Sequence, residues 1–437
     1  SKGRVAGSLR TVLCMGGRWQ HDSLSTLPCS DFMPLSQVIE RPKRRSAVRR
    51  LGVVLTLVGL ASSASAQTDS PFSLQGFGTL GMARTTSDEV EFVRDLSQPS
   101  GIRKDWDGRV DSVLGLQAAW RMTPQLSAVV QGMAKYRYDR TYSPEIAWAY
   151  LNYDPTPSVT LRLGRLGTEF FMMADSRWVG YSYLTVRPPG DYFWYLPFYS
   201  IHGGDLAYTH AVGDGMVRLK GFYGLSNGHI PLADQQWEIK GSPMTGVSVE
   251  YQLAAWQVRA SYANIRFKHD LPIARELQAY SPDPLASASL LSTRDKRTDF
   301  YSLGVVYDQG PWQIQFMLNR IEQGNLALEN SEGGYALAGY RVGTLTPYLG
   351  YSWVRSERRE TTARQAIEAR IMADSHAHQK TGIIGMRWNV ARNMALKAQW
   401  DAIRGDAASI FPYRHEPASG RWSGKMDVYS VAFDFIF

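Results

Sequence analysis

Tyr429-Ser-Val-Ala-Phe-Asp-Phe-Ile-Phe437 forms the last nine residues, and its parity decides how the rest of the chain is read. Tyr429, Val431, Phe433, Phe435 and Phe437 fall on one face of an extended strand, and Ser430, Ala432 and Asp434 on the other. One row is wholly apolar and ends on an aromatic ring. A strand of this kind is expected to rest its apolar row against something greasy and its polar row against water.

The same two-residue period recurs upstream. In 125–138, Leu126, Ala128, Val130, Gly132, Ala134, Tyr136 and Tyr138 share one face, opposite Ser127, Gln131, Lys135 and Arg137. Trp256, Val258, Ala260 and Tyr262 alternate with Gln257, Arg259 and Ser261. Trp312, Ile314, Phe316 and Leu318 oppose Gln313, Gln315 and Asn319, and Leu396, Ala398, Trp400 and Ala402 oppose Lys397, Gln399 and Asp401. Sixteen strands are predicted in all: 72–84, 109–122, 125–138, 145–154, 158–166, 203–212, 215–226, 243–253, 255–267, 297–308, 312–322, 333–342, 346–357, 379–390, 393–404 and 425–437.

Their connections alternate in length. Short turn-forming clusters such as Thr123-Pro124, Gly213-Asp-Gly215 and Gln309-Gly-Pro311 take turns with longer stretches at 85–108, 139–144, 167–202, 227–242, 268–296, 323–332, 358–378 and 405–424. An even number of strands with short turns at one end and long loops at the other is the pattern of an all-β, antiparallel transmembrane barrel. The short turns are expected on the periplasmic side. Trp120, Tyr153, Tyr251, Trp256, Tyr307, Trp312, Trp388 and Phe437 all lie beside those turns, as an interfacial girdle would.

Parity alone does not tell an outward apolar row from an inward one. The N-terminal region points to export. Arg41, Lys43, Arg44, Arg45, Arg49 and Arg50 precede the apolar run Leu51–Leu60, and Ala64-Ser-Ala66 follows, the three parts of a secretory signal peptide. The mature chain is expected to start at Gln67, with 33–66 as the signal region, 67–437 as the barrel, and 1–32 as an upstream leader outside the mature protein. Both cysteines, Cys14 and Cys29, fall in that leader, so the expected mature chain carries no thiol chemistry. Ten of the 48 Lys/Arg and three of the 40 Asp/Glu lie in 1–66, which leaves 38 against 37 downstream. The formal charge of +8 is therefore no sign of a nucleic-acid partner.

With the signal peptide, sixteen strands and the terminal Tyr429, Phe433, Phe435 and Phe437, the chain resembles the Gram-negative general porins. Arg162-Leu-Gly-Arg165 before a long loop is similar to the porin arrangement at the fifth strand, and Val186-Arg-Pro-Pro189 through Tyr199 is similar to a porin-like subfamily. The Pro-Glu-Phe-Gly-Gly loop signature of enterobacterial porins is replaced by Thr168-Glu-Phe-Phe171. The resemblance implies a homotrimer in the outer membrane, surrounded by lipid and lipopolysaccharide. It also implies that the C-terminal strand is the signal read by the β-barrel assembly machinery. It further implies that the third long loop folds into the lumen.

That loop, 167–202, is rich in Phe, Tyr and Trp, and so much apolar surface needs burial. Glu169, Asp175 and Asp191 are candidate constriction acids, with Arg177 and Arg187 as partners or competitors. Height along the strands sets Arg162, Lys220, Gln131 and Lys397 opposite them, and Arg121, Arg218, Arg259 and Arg387 nearer the periplasm. Inward acids are fewer, namely Asp205, Glu250, Asp401 and Asp434, so weak anion preference is expected unless the charges pair with one another. Passive diffusion of small hydrophilic solutes is the leading function, and a channel specific for a sugar or aromatic acid is the alternative. A barrel enzyme such as a phospholipase lacks a partnered Ser and His in the spacing. Asp374-Ser-His-Ala-His378 puts two imidazoles on one strand face, but a pair without further ligands reads as solvated, so no metal and no cofactor are expected.

Overall fold

The computed structural model describes residues 70–232, 235–357, 365–409, 413–414 and 422–437. The leader, the signal region and the expected start at Gln67 lie outside the described residues. Sixteen strands close into an antiparallel barrel: β1 (Phe72–Thr85), β2 (Val113–Arg121), β3 (Leu126–Lys135), β4 (Glu145–Thr156), β5 (Val159–Gly167), β6 (Ser200–Val212), β7 (Gly215–Ser226), β10 (Pro243–Leu253), β11 (Trp256–Arg266), β12 (Arg297–Gln309), β13 (Trp312–Gln323), β14 (Asn330–Tyr340), β15 (Leu345–Glu357), β16 (His378–Ala391), β17 (Met394–Gly405) and β18 (Lys425–Ile436). β8 (His229–Leu232) and β9 (Gln235–Glu238) form a separate hairpin in the connection after β7. Closure is made by β1 and β18, from Phe77 opposite Ile436 to Thr85 opposite Val428. Every barrel strand thus has two hydrogen-bonded neighbours and no edge is left open.

Exposure follows the predicted parity. Leu396, Trp400, Tyr429 and Val431 are exposed, while Lys397, Gln399, Asp401, Ser430 and Asp434 between them are buried. In a closed barrel the exposed apolar row is the outer surface and the buried row faces inward. Of the expected girdle, Trp120, Tyr153, Trp256, Trp312, Trp388 and Phe437 are exposed, while Tyr251 and Tyr307 are half-buried. Some of these rings meet across strands, Trp256 tilted against Tyr307 with centroids 4.7 Å apart and Trp312 edge-on to Tyr340 at 4.9 Å. Phe72, Tyr208 and Tyr340 belong to the same band and were missing from the expected set.

The short turns use left-handed backbone where the two strands must reverse in two residues. Gly213 (φ 58°) and Gly310 (φ 59°) supply it without a Cβ, and Ala254 (φ 48°) supplies it with one.

The predicted strands run too far in two places. The second begins at Val113 rather than 109, and the third stops at Lys135 rather than 138. Tyr136, expected on the outer row, is buried, with its hydroxyl 2.7 Å from Ser100 Oγ and the Arg109 guanidinium over its ring. The period continues through the sequence there, but the partner strand does not, so the ladder ends first. The long connections also hold structure that their polar composition hid. Besides the hairpin, there are helices at Ala274–Tyr280, Pro284–Leu290 and Ala366–Ala373, packed through Leu277, Leu291, Ala327, Ile371 and Met372.

Candidate functional site

The connection 168–199 is buried almost throughout. Phe170, Phe171, Trp178, Tyr183, Tyr192, Phe193 and Trp194 have little or no exposure. They pack on apolar side chains of the inward row: Phe170 against Phe222 and Phe300, and Tyr192 against Tyr335. The inward aromatics Phe77, Phe300, Tyr335 and Tyr348 went unnoticed in the sequence. Their signal was the local break in alternation, as in Phe300-Tyr301 and Gly334-Tyr335, where apolar residues occupy both faces.

Charged groups meet the connection on two sides. On the side of β5, β6, β7 and β11, Arg162 makes a two-pronged contact with Asp205, with Nε 3.0 Å from Oδ1 and an Nη2 2.5 Å from Oδ2. The same guanidinium donates to Glu169 Oε1 at 3.2 Å. Lys220 donates to Glu169 and stands 3.1 Å from Asp205 Oδ2, while Arg259 donates to Glu169 Oε2 at 3.1 Å. Burial opposes ionisation of Glu169, but Lys220, Arg259 and Arg162 outweigh it and hold the carboxyl well below the usual carboxylate range. Arg259 was expected lower in the barrel; its guanidinium instead reaches the same acid as Arg162 and Lys220. Height along a strand leaves out the reach of a long side chain.

On the opposite side, β16, β17 and β18 meet the connection differently. Lys397 Nζ donates to the carbonyls of Gly180 (2.8 Å), Tyr183 (2.7 Å) and Thr185 (3.0 Å), and pairs with Asp434 at 2.8 Å. Arg387 donates to the carbonyls of Tyr181 and Tyr183. A Cβ on Gly180 would collide with Asp434 and Thr79, so glycine is what lets this backbone approach. Arg187 is two-pronged on Asp111 (2.9 and 2.6 Å) and reaches Asp401 at 2.9 Å and Ser430 at 2.6 Å. Asp111 also accepts from Arg94 at 3.2 Å. Asp111, expected within the second strand, lies in the connection before it, and neither Asp111 nor Arg94 carries a local pattern.

The remaining expected residues scatter. Arg177 donates to the carbonyls of Leu196 and Phe198 and lies 3.9 Å from Asp95, not beside the connection's own acids. Asp191 accepts from Ser352 (2.6 Å) and Gln379 (2.7 Å), both uncharged, and burial pushes its carboxyl up. Asp175 is half-buried and is raised by burial and then by Glu169. Gln131 donates to Gln117 at 3.1 Å. Arg218 is half-buried and Arg121 is exposed at the end of β2. The space left against Arg187, Asp191 and Asp401 is about 20 Å³, enough for one water at most. A wider hollow of about 190 Å³ is lined by Lys135, Arg137, Glu145, Arg165, Tyr199 and His229.

A closed barrel of sixteen antiparallel strands with this outward apolar row has counterparts among solved structures. OmpT, an outer-membrane protein of Vibrio cholerae in trimer form, superposes with a TM-score of 0.51 at 13% identity, covering 84% of this chain and 100% of that one. An anion-selective porin from Comamonas acidovorans gives 0.50 at 13% identity, covering 84% and 99%. The chain has the porin fold. No protein-family model matches the sequence and no curated protein is similar to it. The likeness to the porin fold is therefore one of architecture, carried by the alternation and not by shared residues.

Proposed function

We propose that this porin-fold chain is an outer-membrane channel for passive diffusion of small hydrophilic solutes and ions. The observation that carries the reading is the outer surface: an exposed apolar band around a closed barrel whose inward row combines charged and polar residues with the aromatics that the connection covers. Such a surface is stable in lipid, where every backbone group must be paired internally. The residues 33–66 would direct export, 1–32 would be absent from the mature protein, and the terminal aromatic strand would engage the assembly machinery. Trimer formation in the outer membrane, among lipid and lipopolysaccharide, is part of the same reading, as the trimer form of the Vibrio cholerae protein suggests.

In this proposal the connection 168–199 lies in the bore and is its constriction. Glu169, with Arg162, Lys220 and Arg259, lines one side; Arg187, Lys397 and Arg387 line the other. The burial of Lys220 (4% exposed) and Lys397 (3%) favours a narrow path over a wide one, and so supports the substrate-specific alternative for solutes larger than simple ions. Ion pairing removes most of the basic bias of the wall, so the anion preference is small. The barrel acts as a conduit and not as an enzyme.

Conductance of the purified protein in planar bilayers tests the core of this. Small, ohmic steps are expected, with a reversal potential under a KCl gradient displaced slightly toward anions. Absence of both conductance and liposome swelling would overturn the channel reading, and a marked cation preference would overturn the charge assignment. Swelling with sugars of graded size separates the two kinds of channel: a smooth fall means general diffusion, and one outlying solute means a specific one.

A further inference from the structure

The segment Asp374–His378 takes no part in the proposed pathway, yet the structure completes it. Its two imidazoles are joined by a carboxylate from the connection after β17, and the three ligand atoms lie within 4.8 Å of one another. We propose that His376, His378 and Asp406 bind a single divalent transition ion of the zinc class at the loop end of the barrel.

Four observations carry this. First, Asp406 Oδ2 lies 3.7 Å from His376 Nε2 and 3.5 Å from His378 Nδ1. Ligands on a tetrahedral ion at ~2.0–2.1 Å stand about 3.4 Å from each other, so the two carboxylate–imidazole pairs need a contraction of only tenths of an ångström, while the two imidazoles lie within 4.8 Å. Second, His376 is 4% exposed and its Nε2 has no hydrogen-bonding partner among the described residues. A buried ring nitrogen aimed at two other donors is costly to leave unmet. Third, the other nitrogen of that ring, Nδ1, is 2.7 Å from Glu329 Oε2, and Glu329 is itself buried. This is the carboxylate–histidine arrangement that fixes the tautomer, leaves Nε2 with a free lone pair, and raises its basicity toward a metal. Fourth, the loop bearing Asp406 is tied in place. Asp406 N donates to the His378 carbonyl at 3.2 Å, and His378 N donates to Ser409 Oγ at 3.0 Å.

Two imidazoles with one carboxylate suit zinc and its neighbours; calcium and magnesium call for oxygen-only cages. The exposure of His378 leaves a fourth position for water or an outside ligand. An ion held here joins three separate connections through Glu329, His376 and Asp406. It also sits next to Gln379, whose side chain holds Asp191.

The test uses the mature, untagged protein in detergent, stripped with a chelator and titrated with ZnCl₂ by calorimetry. Co²⁺ serves as the probe of geometry through its visible absorption. One ion per chain and a tetrahedral-type Co²⁺ spectrum are expected. His378→Ala and Asp406→Asn, both at exposed positions, are expected to abolish the spectrum while leaving the barrel folded. Glu329→Gln keeps all three ligands and is expected to weaken Zn²⁺ by about 10- to 100-fold. No binding up to millimolar Zn²⁺, or parent-like affinity in both His378→Ala and Asp406→Asn, would overturn the site. Unchanged affinity in Glu329→Gln would overturn the positioning role of that carboxylate.

Discussion

The two sides on which the barrel meets the connection 168–199 solve one problem in opposite ways. Beside β5, β7 and β11, the strands supply cations and the connection supplies a carboxylate, Glu169, which Arg162, Lys220 and Arg259 share. Beside β16, β17 and β18, the connection supplies backbone carbonyls to Lys397 and Arg387, and an arginine, Arg187, to acids of the wall and of the connection before β2. On the first side the connection contributes one acid to several bases of the wall, of which Asp205 also pairs Arg162 and Lys220. The second is held by a base between two acids, plus peptide dipoles. A row of basic residues read along the strands therefore overstates the field a solute would feel, because the compensating groups come from elsewhere in the chain.

The largest expected effect is on the second side. Arg187→Met leaves Asp111 and Asp401 buried without their common cation, and should cost about 3–5 kcal/mol. It is read from the temperature at which the barrel unfolds in detergent. Adding Asp111→Asn and Asp401→Asn to that variant should recover much of the loss; a parent-like Arg187→Met would break the contrast between the sides.

On the first side the expected outcome is electrical as much as structural. Glu169→Gln leaves Asp205 to face Arg162 and Lys220 and takes the acid away from Arg259. Reversal potentials should move toward anions, with a stability loss of about 1–3 kcal/mol. A shift toward cations would show that these basic groups do not face the permeation path.

Asp191 sharpens the comparison because its donors are neutral. Asp191→Asn should change stability by about 1 kcal/mol or less. The sign of its pH response also differs from that of Glu169. A carboxyl raised by burial is penalised when ionised, so Asp191 lends stability as pH falls through its raised folded value. Glu169 is lowered, so its contribution is present above its unfolded value and is lost only as pH falls through a value well below that. Mild acidification should therefore strengthen the Asp191 contact before it weakens the Glu169 contact. Thermal unfolding of parent and Asp191→Asn between neutral pH and about pH 4.5 checks this; the variant should lack the rise.

The smallest effect belongs to a control away from both sides. Ala254→Gly in the β10–β11 turn relieves a left-handed alanine and should add about 0.5 kcal/mol, the penalty of that conformation less the entropy of a glycine. Reversal potential should not move.

What proved legible is local. Sixteen strands, their faces and the alternation of short and long connections were readable because the period of two acts on each residue independently, and a strand needs only its neighbours to show its outward row. The misreadings at 109–112 and 136–138 arose where that period outlasts the partner strand. The helices at Ala274–Tyr280 and Ala366–Ala373 were hidden because a few turns with one apolar contact each leave little periodicity.

The chain's own order of residues determined that a barrel forms and which side chains look out of it. It also named charged strand residues that the fold buries, among them Arg162, Lys220 and Lys397, but neither Asp111 nor Arg94. Only the tertiary structure decided who neutralises whom, since Arg187 meets Asp401 across 214 positions and Lys397 meets the carbonyl of Gly180 across 217. Coulomb attraction acts through space, falling with the distance between charges whatever their separation along the chain. No spacing along the sequence encodes it.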